Sequence, residues 1–430
     1  MSLSRRALTV ALAIMALAIA GVWSGEPLQG VWRWLAVLWL LFIVWERLRL
    51  AQEFTIQRRI GGALSLGEPA SYETEIINLG KYALLLETQP EYPATLEADN
   101  PLQRWRLEPD ARESRRLAVM PVSLGITPLG PLHVRVLGGF GLCWWTRRHD
   151  DGLTAAVVPA TLPHGSGPGN ARSGERRDRF QAGSGVDLLE MRDYRPGDLP
   201  HAIDWKATAR RGKPVVRRFQ RDQRLQLAVL VDCGRASRVH AGAMQRLQHY
   251  VNVAARLAEL AAQQDDQVGC LGYAQVLLER VALAGGTAAV QRTRRMLGEL
   301  TATAEESNPL VAALEVRRLI PHRGLVVFLT DIEQPEAASQ LLKAVQLLAA
   351  RHQVLVASVQ DPAIAEITRQ PAQGWLDPYR QLAAQDYLRG RELTRQKLQR
   401  AGVAVVTAPV EHLDRHVLDY YRRHRLRISA

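Results

Sequence analysis

Six short segments dominate the second half of the chain: LQLAVLVDC ending at Cys233, VGCLGYA, LLERVAL, LVVFLTD ending at Asp331, VLVASVQD and VAVVTAP. Most are apolar on both faces, which suits strands buried between two layers. Between them lie stretches of helical period. Met244, Leu247, Val251, Ala254 and Ala258 recur at spacings of three and four, the stripe of a helix packed on a core. Further helices are expected over 290–300, 309–319, 335–352 and 382–400, and from His412. Strand and helix in alternation imply a mostly parallel sheet covered on both faces. The ligand crevice of such a sheet lies at the carboxyl ends of its strands, where Asp232 and Asp331 both fall. Two carboxylates there form a candidate site for a hard cation such as Mg²⁺.

The first half reads differently. From about residue 51 to 162, alternating stretches such as YETEIIN and LHVRVLG are broken by turn signals, which predicts an antiparallel β-sandwich. Trp144 and Trp145 near its end are expected to pack in its core. Residues 163–187, rich in glycine and mixed charge, read as a flexible polar linker, and 188–430 as the α/β domain.

Residues 1–50 hold two apolar runs, Ala7 to Val22 and Trp34 to Trp45. They read as a membrane anchor of two transmembrane helices, the second borrowing flanking residues to reach the ~20 that cross a bilayer. A cleaved signal peptide is the alternative for the first run. Arg5 and Arg6 precede the first run, while Arg47, Arg49, Arg58 and Arg59 follow the second. This bias predicts a multi-pass inner-membrane protein with its folded domains in the cytoplasm.

Lys and Arg outnumber Asp and Glu by 55 to 43. That excess favours anionic partners, of which membrane lipid or an acidic protein fits better than nucleic acid, because no groove-reading motif accompanies the cations. Three scattered cysteines, Cys143, Cys233 and Cys270, indicate neither a disulfide framework nor a zinc site. No GxSxG, HExxH, Walker A or GxGxxG motif occurs, so binding is expected and catalysis is not. An unrecognised hydrolase constellation stays as an alternative. His412 and His416 have ligand-like spacing but sit among arginines on what reads as a solvated face.

The densest motif is MRDYRPGDLPHAIDWKATARRGKPVVRRF, from Met191 to Phe219. Arg192, Tyr194, Pro196, Gly197, Asp198, Asp204, Trp205, Lys206 and Arg210 are its candidate interaction residues, with Pro196-Gly197 as a turn. Two arrangements are open: an exposed ordered loop with Trp205 as an interface anchor, or Trp205 packed under the sheet with Asp204 and Arg210 locking the loop. From Lys206 to Arg224 eight cations face one acid, Asp222.

This motif, followed by LAVLVDCGRAS, resembles the signature of the bacterial domain-of-unknown-function family 58. The resemblance implies a von Willebrand factor A-like fold and a MoxR-type AAA+ ATPase as partner. It implies no known reaction, so the chain reads as a membrane-anchored adaptor or scaffold. A-type domains hold metal through Asp-x-Ser-x-Ser, and here that stretch is Asp232-Cys233-Gly234-Arg235-Ala236. Ser237 is one position out of register, and Ser307 is a weak candidate for a further hydroxyl. A degenerate site using Asp232 and Asp331 would make the protein a Mg²⁺-dependent ligand-binding module, the second reading.

Overall fold

The structure, a computed structural model, describes residues 2–24, 26–50, 54–99, 102–137, 141–162, 182–196, 198, 203–220, 224–332 and 335–429. It divides into two compact units, Met1–Pro159 and Ala160–Ala430.

In the first unit two antiparallel sheets pack face to face. One sheet has four strands, in the order 54–60, 70–78, 112–121, 96–97. Another has five, in the order 2–3, 143–149, 132–137, 84–90, 103–107. Their alternation places Ile56 and Ile76 from the first against Leu84, Leu86, Trp105, Val134 and Val136 from the second, the inner faces of a sandwich. Buried Trp105 finds a partner for its indole N–H in Thr88 Oγ1 (2.8 Å). Trp144 and Trp145 are only half-buried, and Arg135 lies over the Trp144 ring.

The N-terminal runs do form helices, α1 (Arg5–Ser24) and α2 (Glu26–Leu50). Among the described residues, however, no helix is long and apolar enough to cross a membrane. The two predicted transmembrane helices are therefore set aside, and with them the multi-pass inner-membrane placement. The uncharged part of α2 runs only from Trp34 to Trp45, between Arg33 and Glu46, short of the ~20 residues a span needs. The helices are also tied to the sandwich. Ser2–Leu3 pairs with Trp144 and Cys143, Ser4 Oγ donates to the Gly141 carbonyl (2.5 Å), and Ala7 and Ile43 are buried with Leu142 and Cys143.

The second unit starts with an arm, β1 (Ala182–Asp193), α3 (Trp205–Arg211) and β2 (Val215–Gln220), in which β1 and β2 pair antiparallel. The predicted linker at 163–187 lies outside the described residues up to 181, and from Ala182 the chain is already in a strand. After the arm the main sheet is laid down: β3 (Gln226–Asp232), α4 (Arg246–Gln263), β4 (Gln267–Tyr273), β5 (Leu277–Ala284), α5 (Gly286–Glu299), α6 (Pro309–Leu319), β6 (Leu325–Leu329), α7 (Pro335–Ala349), β7 (Gln353–Gln360), α8 (Pro362–Ile367), α9 (Asp377–Arg400), β8 (Ala404–Pro409) and α10 (Val410–Ser429). The strand order is β5-β4-β3-β6-β7-β8. All neighbours are parallel except β5, which returns antiparallel to β4.

The predicted apolar strands at the centre of the sheet are buried almost from end to end, every residue of β6 and all but the first of β3 and β4, whereas the edge strands β5 and β8 are mostly half-buried or exposed. Each buried Val or Leu side chain contributes about 1.5–3 kcal/mol relative to exposure. Gly269 and Gly272 on β4 keep this packing close, since a Cβ there would stand 2.8 Å from Leu319 and 2.5 Å from Leu300 respectively. Asn308 caps α6, with Pro309 in its first turn, where the missing N–H loses no helical bond.

Burial also depresses the pKa of His249, His352 and His424 in this unit, each chiefly through desolvation of the charged ring. The unfolded imidazole takes up its proton near pH 6.5 while the folded one resists, so the unfolded state binds more protons as pH falls. Stability should therefore drop from pH 7.5 towards pH 5.5 and level off below the folded pKa values. Thermal melts across that range check this, and His249→Gln should flatten the slope.

Candidate functional site

Counting the six sheet strands in chain order gives 3-2-1-4-5-6, so the order reverses between β3 and β6. The loops leaving the carboxyl ends of these two strands diverge there and open a crevice. Asp232 closes β3, Thr330 and Asp331 follow β6, and Arg235, Ala236, Val239, Glu306, Ser307, Pro309 and Leu341 complete a cavity of about 200 Å³. The predicted aspartates thus do share one site.

Asp232 is fully buried, and loss of water pushes its pKa up. Three donors oppose that shift. Ser307 Oγ donates to Oδ1, the Gly234 N–H donates to Oδ1 (2.9 Å) and Thr330 Oγ1 donates to Oδ2 (2.5 Å). The weak candidate Ser307 therefore reaches Asp232, and Thr330, which the sequence reading missed, does so as well. Ser237 does not, because its hydroxyl donates to the Asp232 backbone carbonyl (2.7 Å).

Asp331 is held differently. Its Oδ2 pairs with Arg246 Nη1, a residue of α4 only 2% exposed, and its Oδ1 accepts the Ile332 N–H (2.8 Å). Arg391 of α9 approaches Oδ1 at 3.9 Å while donating to Ser358 Oγ (3.1 Å) and the Val359 carbonyl (3.0 Å). Tyr387 receives both arginines, at 3.3 and 3.2 Å. This network joins α4, β6, β7 and α9 beneath the cavity. Sequence reading passed over Arg246 and Arg391, yet each sits on its helix's buried stripe, Arg246 with Tyr250 and Arg391 with Ala384, Thr394 and Leu398. A cation on such a stripe signals a buried carboxylate partner.

The donor set does not fit Mg²⁺. The cation beside Asp331 is already a guanidinium, and no group of three or more His, Cys, Asp or Glu side chains gathers among the described residues. At Gly234, where an A-type motif would place its first serine, an added Cβ would stand 2.0 Å from Ser307 Oγ and 3.1 Å from the Glu305 carbonyl. Ser307 fills the space that the motif serine needs. Gly234→Ser should cost about 1–3 kcal/mol by overpacking, read as a lower melting temperature, and titration calorimetry should show no Mg²⁺-dependent heat for either protein.

The start of α9 extends beyond the arginine network. Tyr387 lies level with the arginine network, so the ten residues before it carry the helix about 15 Å beyond, at ~1.5 Å per residue. Trp375 (79% exposed), Tyr379 and Leu382 project there into solvent. The turn below them is fixed, with Gln373 N–H and Gly374 N–H donating to Asp377 Oδ2 at 2.9 and 2.7 Å and Gln381 Nε2 donating to the Gln370 carbonyl at 2.6 Å.

The motif residues form a separate group on the arm. Arg192 Nη2 donates to Asp198 Oδ1 (2.6 Å), and the Arg195 N–H donates to Asp198 Oδ2 (2.8 Å). Tyr194 and Pro196 are exposed, and Gly197 lies outside the described residues. Asp204 caps α3 through the Lys206 and Ala207 N–H groups, both at 3.0 Å. Trp205 is 71% exposed rather than packed under a sheet, and Lys206 and Arg210 are exposed beside it. His412 and His416 are exposed, as a solvated face requires. Cys143, Cys233 and Cys270 are free and buried.

A family model described as Protein of unknown function DUF58 matches residues 190–408. Uncharacterised proteins of Mycobacterium bovis and Mycobacterium tuberculosis are 28% identical over 187 residues, which is 43% of this chain and 58% of each relative. The chain thus matches little more than half the length of these curated relatives. Among solved structures, a conserved hypothetical protein BatB from Bacteroides thetaiotaomicron aligns at 16% identity with a TM-score of 0.33, over 46% of this chain and 99% of that one. A PapD-like domain of human CEP192 aligns at 12% identity with a TM-score of 0.19, over 24% of this chain and 86% of that one.

Proposed function

This chain belongs to the family described as Protein of unknown function DUF58, and from the geometry of its α/β unit we propose a von Willebrand factor A-like domain that works as a protein-interaction adaptor, without catalysis of its own. The strand order, with its antiparallel edge strand, supports the A-like reading. The observation that carries the adaptor reading is the fixed turn at the start of α9, which holds Trp375 and Tyr379 in solvent. Exposed Trp and Tyr on a rigid support are the side chains that dominate binding energy at interfaces, and little ordering entropy remains to be lost when they dock. The crevice at Asp232 and Asp331, about 200 Å³, has room for one partner side chain. A MoxR-type AAA+ ATPase is the partner that the family resemblance implies.

Sedimentation of the full chain with a purified MoxR-type ATPase, with and without ATP, tests this. The adaptor reading expects a nucleotide-dependent complex, insensitive to chelator and weakened about tenfold or more, the scale of a hot-spot loss, by Trp375→Ala with Tyr379→Ala. Absence of any complex in either nucleotide state overturns it. A complex abolished by chelator supports the Mg²⁺-dependent module instead.

A further inference from the structure

The arm carries a second surface, on a different element from the crevice. At about 100° per residue, the outer side of α3 holds Trp205, Lys206, Ala209 and Arg210. Ala207 and Thr208, both half-buried, lie on the opposite side, where Thr208 Oγ1 accepts the Val215 N–H (3.0 Å). Arg211 ends the helix and Lys213 carries the exposed positive charge past it, with Gly212 making the turn at φ 67°. From Trp205 to Val216 there are four cations and no acid. Asp204, just before them, is used as the helix cap. Among the described residues no ion pair joins Lys206, Arg210, Arg211 or Lys213 to an acid.

Favourable interaction with the helix dipole accounts for Arg210 and Arg211 at the C-terminal end, but the same dipole opposes Lys206 in the first turn. Nor does it account for an indole left 71% exposed. An exposed ring flanked by unneutralised cations is complementary to a surface with the reverse pattern: carboxylates around an apolar side chain. We infer that α3 is a docking face for an acidic protein segment bearing one bulky apolar residue. Carboxylates of the segment pair with Lys206 and Arg210, Arg211 and Lys213 draw it in from a distance, and its apolar side chain lies on the Trp205 ring. A protein fits better than a nucleic acid. Single strands are held by several stacking rings along a track of cations, whereas this face offers one ring and a compact cluster.

The test is fluorescence anisotropy of the full chain with a labelled synthetic peptide rich in Asp and Glu and carrying one central Leu. A thymidine oligonucleotide of equal charge serves as the rival probe. Peptide binding should weaken with salt, as screened charges require. It should fall about tenfold with Trp205→Ala, the scale of a hot-spot loss, and further with the pair Lys206→Glu and Arg210→Glu. The control pair Arg292→Glu and Arg295→Glu, exposed on α5, should leave it within a factor of about two. Replacing the peptide's Leu by Ser should cost the unmodified chain affinity and cost Trp205→Ala nothing more, since the two side chains act as one contact. Trp205→Phe keeps a ring in place and should retain most binding, so it separates lost contact from lost fold if the alanine variant melts early. The proposal fails if Trp205→Ala binds as before. It fails equally if the control pair weakens binding as much as the α3 pair, or if the oligonucleotide binds more tightly than the peptide through Lys206 and Arg210.

Discussion

Arg246→Met should destabilise the α/β unit by about 3–5 kcal/mol, because it strips the closest partner from a carboxylate buried at the crevice floor. The Asp331 side chain is 3% exposed and that of Arg246 2%, so water cannot replace the lost charge. Arg391, at 3.9 Å, offsets part of the deficit and argues for the lower end of that range. Asp331→Asn added to Arg246→Met should recover much of the loss, since the buried anion is then gone and the methionine packs against the apolar stripe of α4. Denaturant unfolding of the single and double variants gives the coupling directly. Equal stability of Arg246→Met and the unmodified chain would mean that the pair is solvated and the network is not a support.

Only half of this buried pair and its setting is legible in the sequence. Strands buried on both faces announce themselves as LAVLV or LVVFL because no position along them meets water. The alternation with helical stripes then restricts the sheet to a parallel, doubly covered one. Asp232 and Asp331 were placed at the crevice by the same logic, as the polar residues at which apolar strands stop. The partner of Asp331 was harder to see, because Arg246 is close to it only through the crossing of α4 over β6, a separation of 85 residues. The misfit of Arg246 with its own helix stripe was the available signal.

Gly234 shows the opposite case. The sequence marks it as a missing serine, whereas its reason is spatial, in the hydroxyl of Ser307 arriving from another loop. At the N-terminus, apolar composition alone suggested spans. The edge pairing of Ser2 and Leu3 and the burial of Ala7 and Ile43 against the sandwich are tertiary events that composition does not encode. The exposure of Trp205 likewise follows from the cap at Asp204, which turns the indole outward at the start of α3.

At the other end of the sheet, Asp266→Ala should cost about 3–5 kcal/mol, the range for removing one partner of a buried pair, and should do so without touching the crevice. Asp266 is completely buried just ahead of β4, where no apolar contact explains a carboxylate. It accepts from the Leu225 N–H (3.0 Å) at the entry to β3, and from the Tyr421 hydroxyl and Arg425 Nε (2.7 Å) on α10. One side chain therefore fastens the last helix to the amino ends of the two strands that begin the sheet. Its loss leaves the buried Tyr421 hydroxyl without its acceptor and takes the carboxylate from a half-buried guanidinium that keeps its bond to the Gln264 carbonyl (2.6 Å), each penalised by lost solvation. Asp266→Asn keeps the shape and one acceptor oxygen, so it should fall between the alanine variant and the unmodified chain. The informative measurement pairs a denaturant melt with peptide anisotropy at the arm and sedimentation with the ATPase, all under conditions where the variant is still folded. A stability loss with unchanged binding would assign the amino end of the sheet to holding the fold and leave its carboxyl end free for recognition. A loss of binding in folded Asp266→Ala would instead mean that the position of α10 is transmitted to those surfaces.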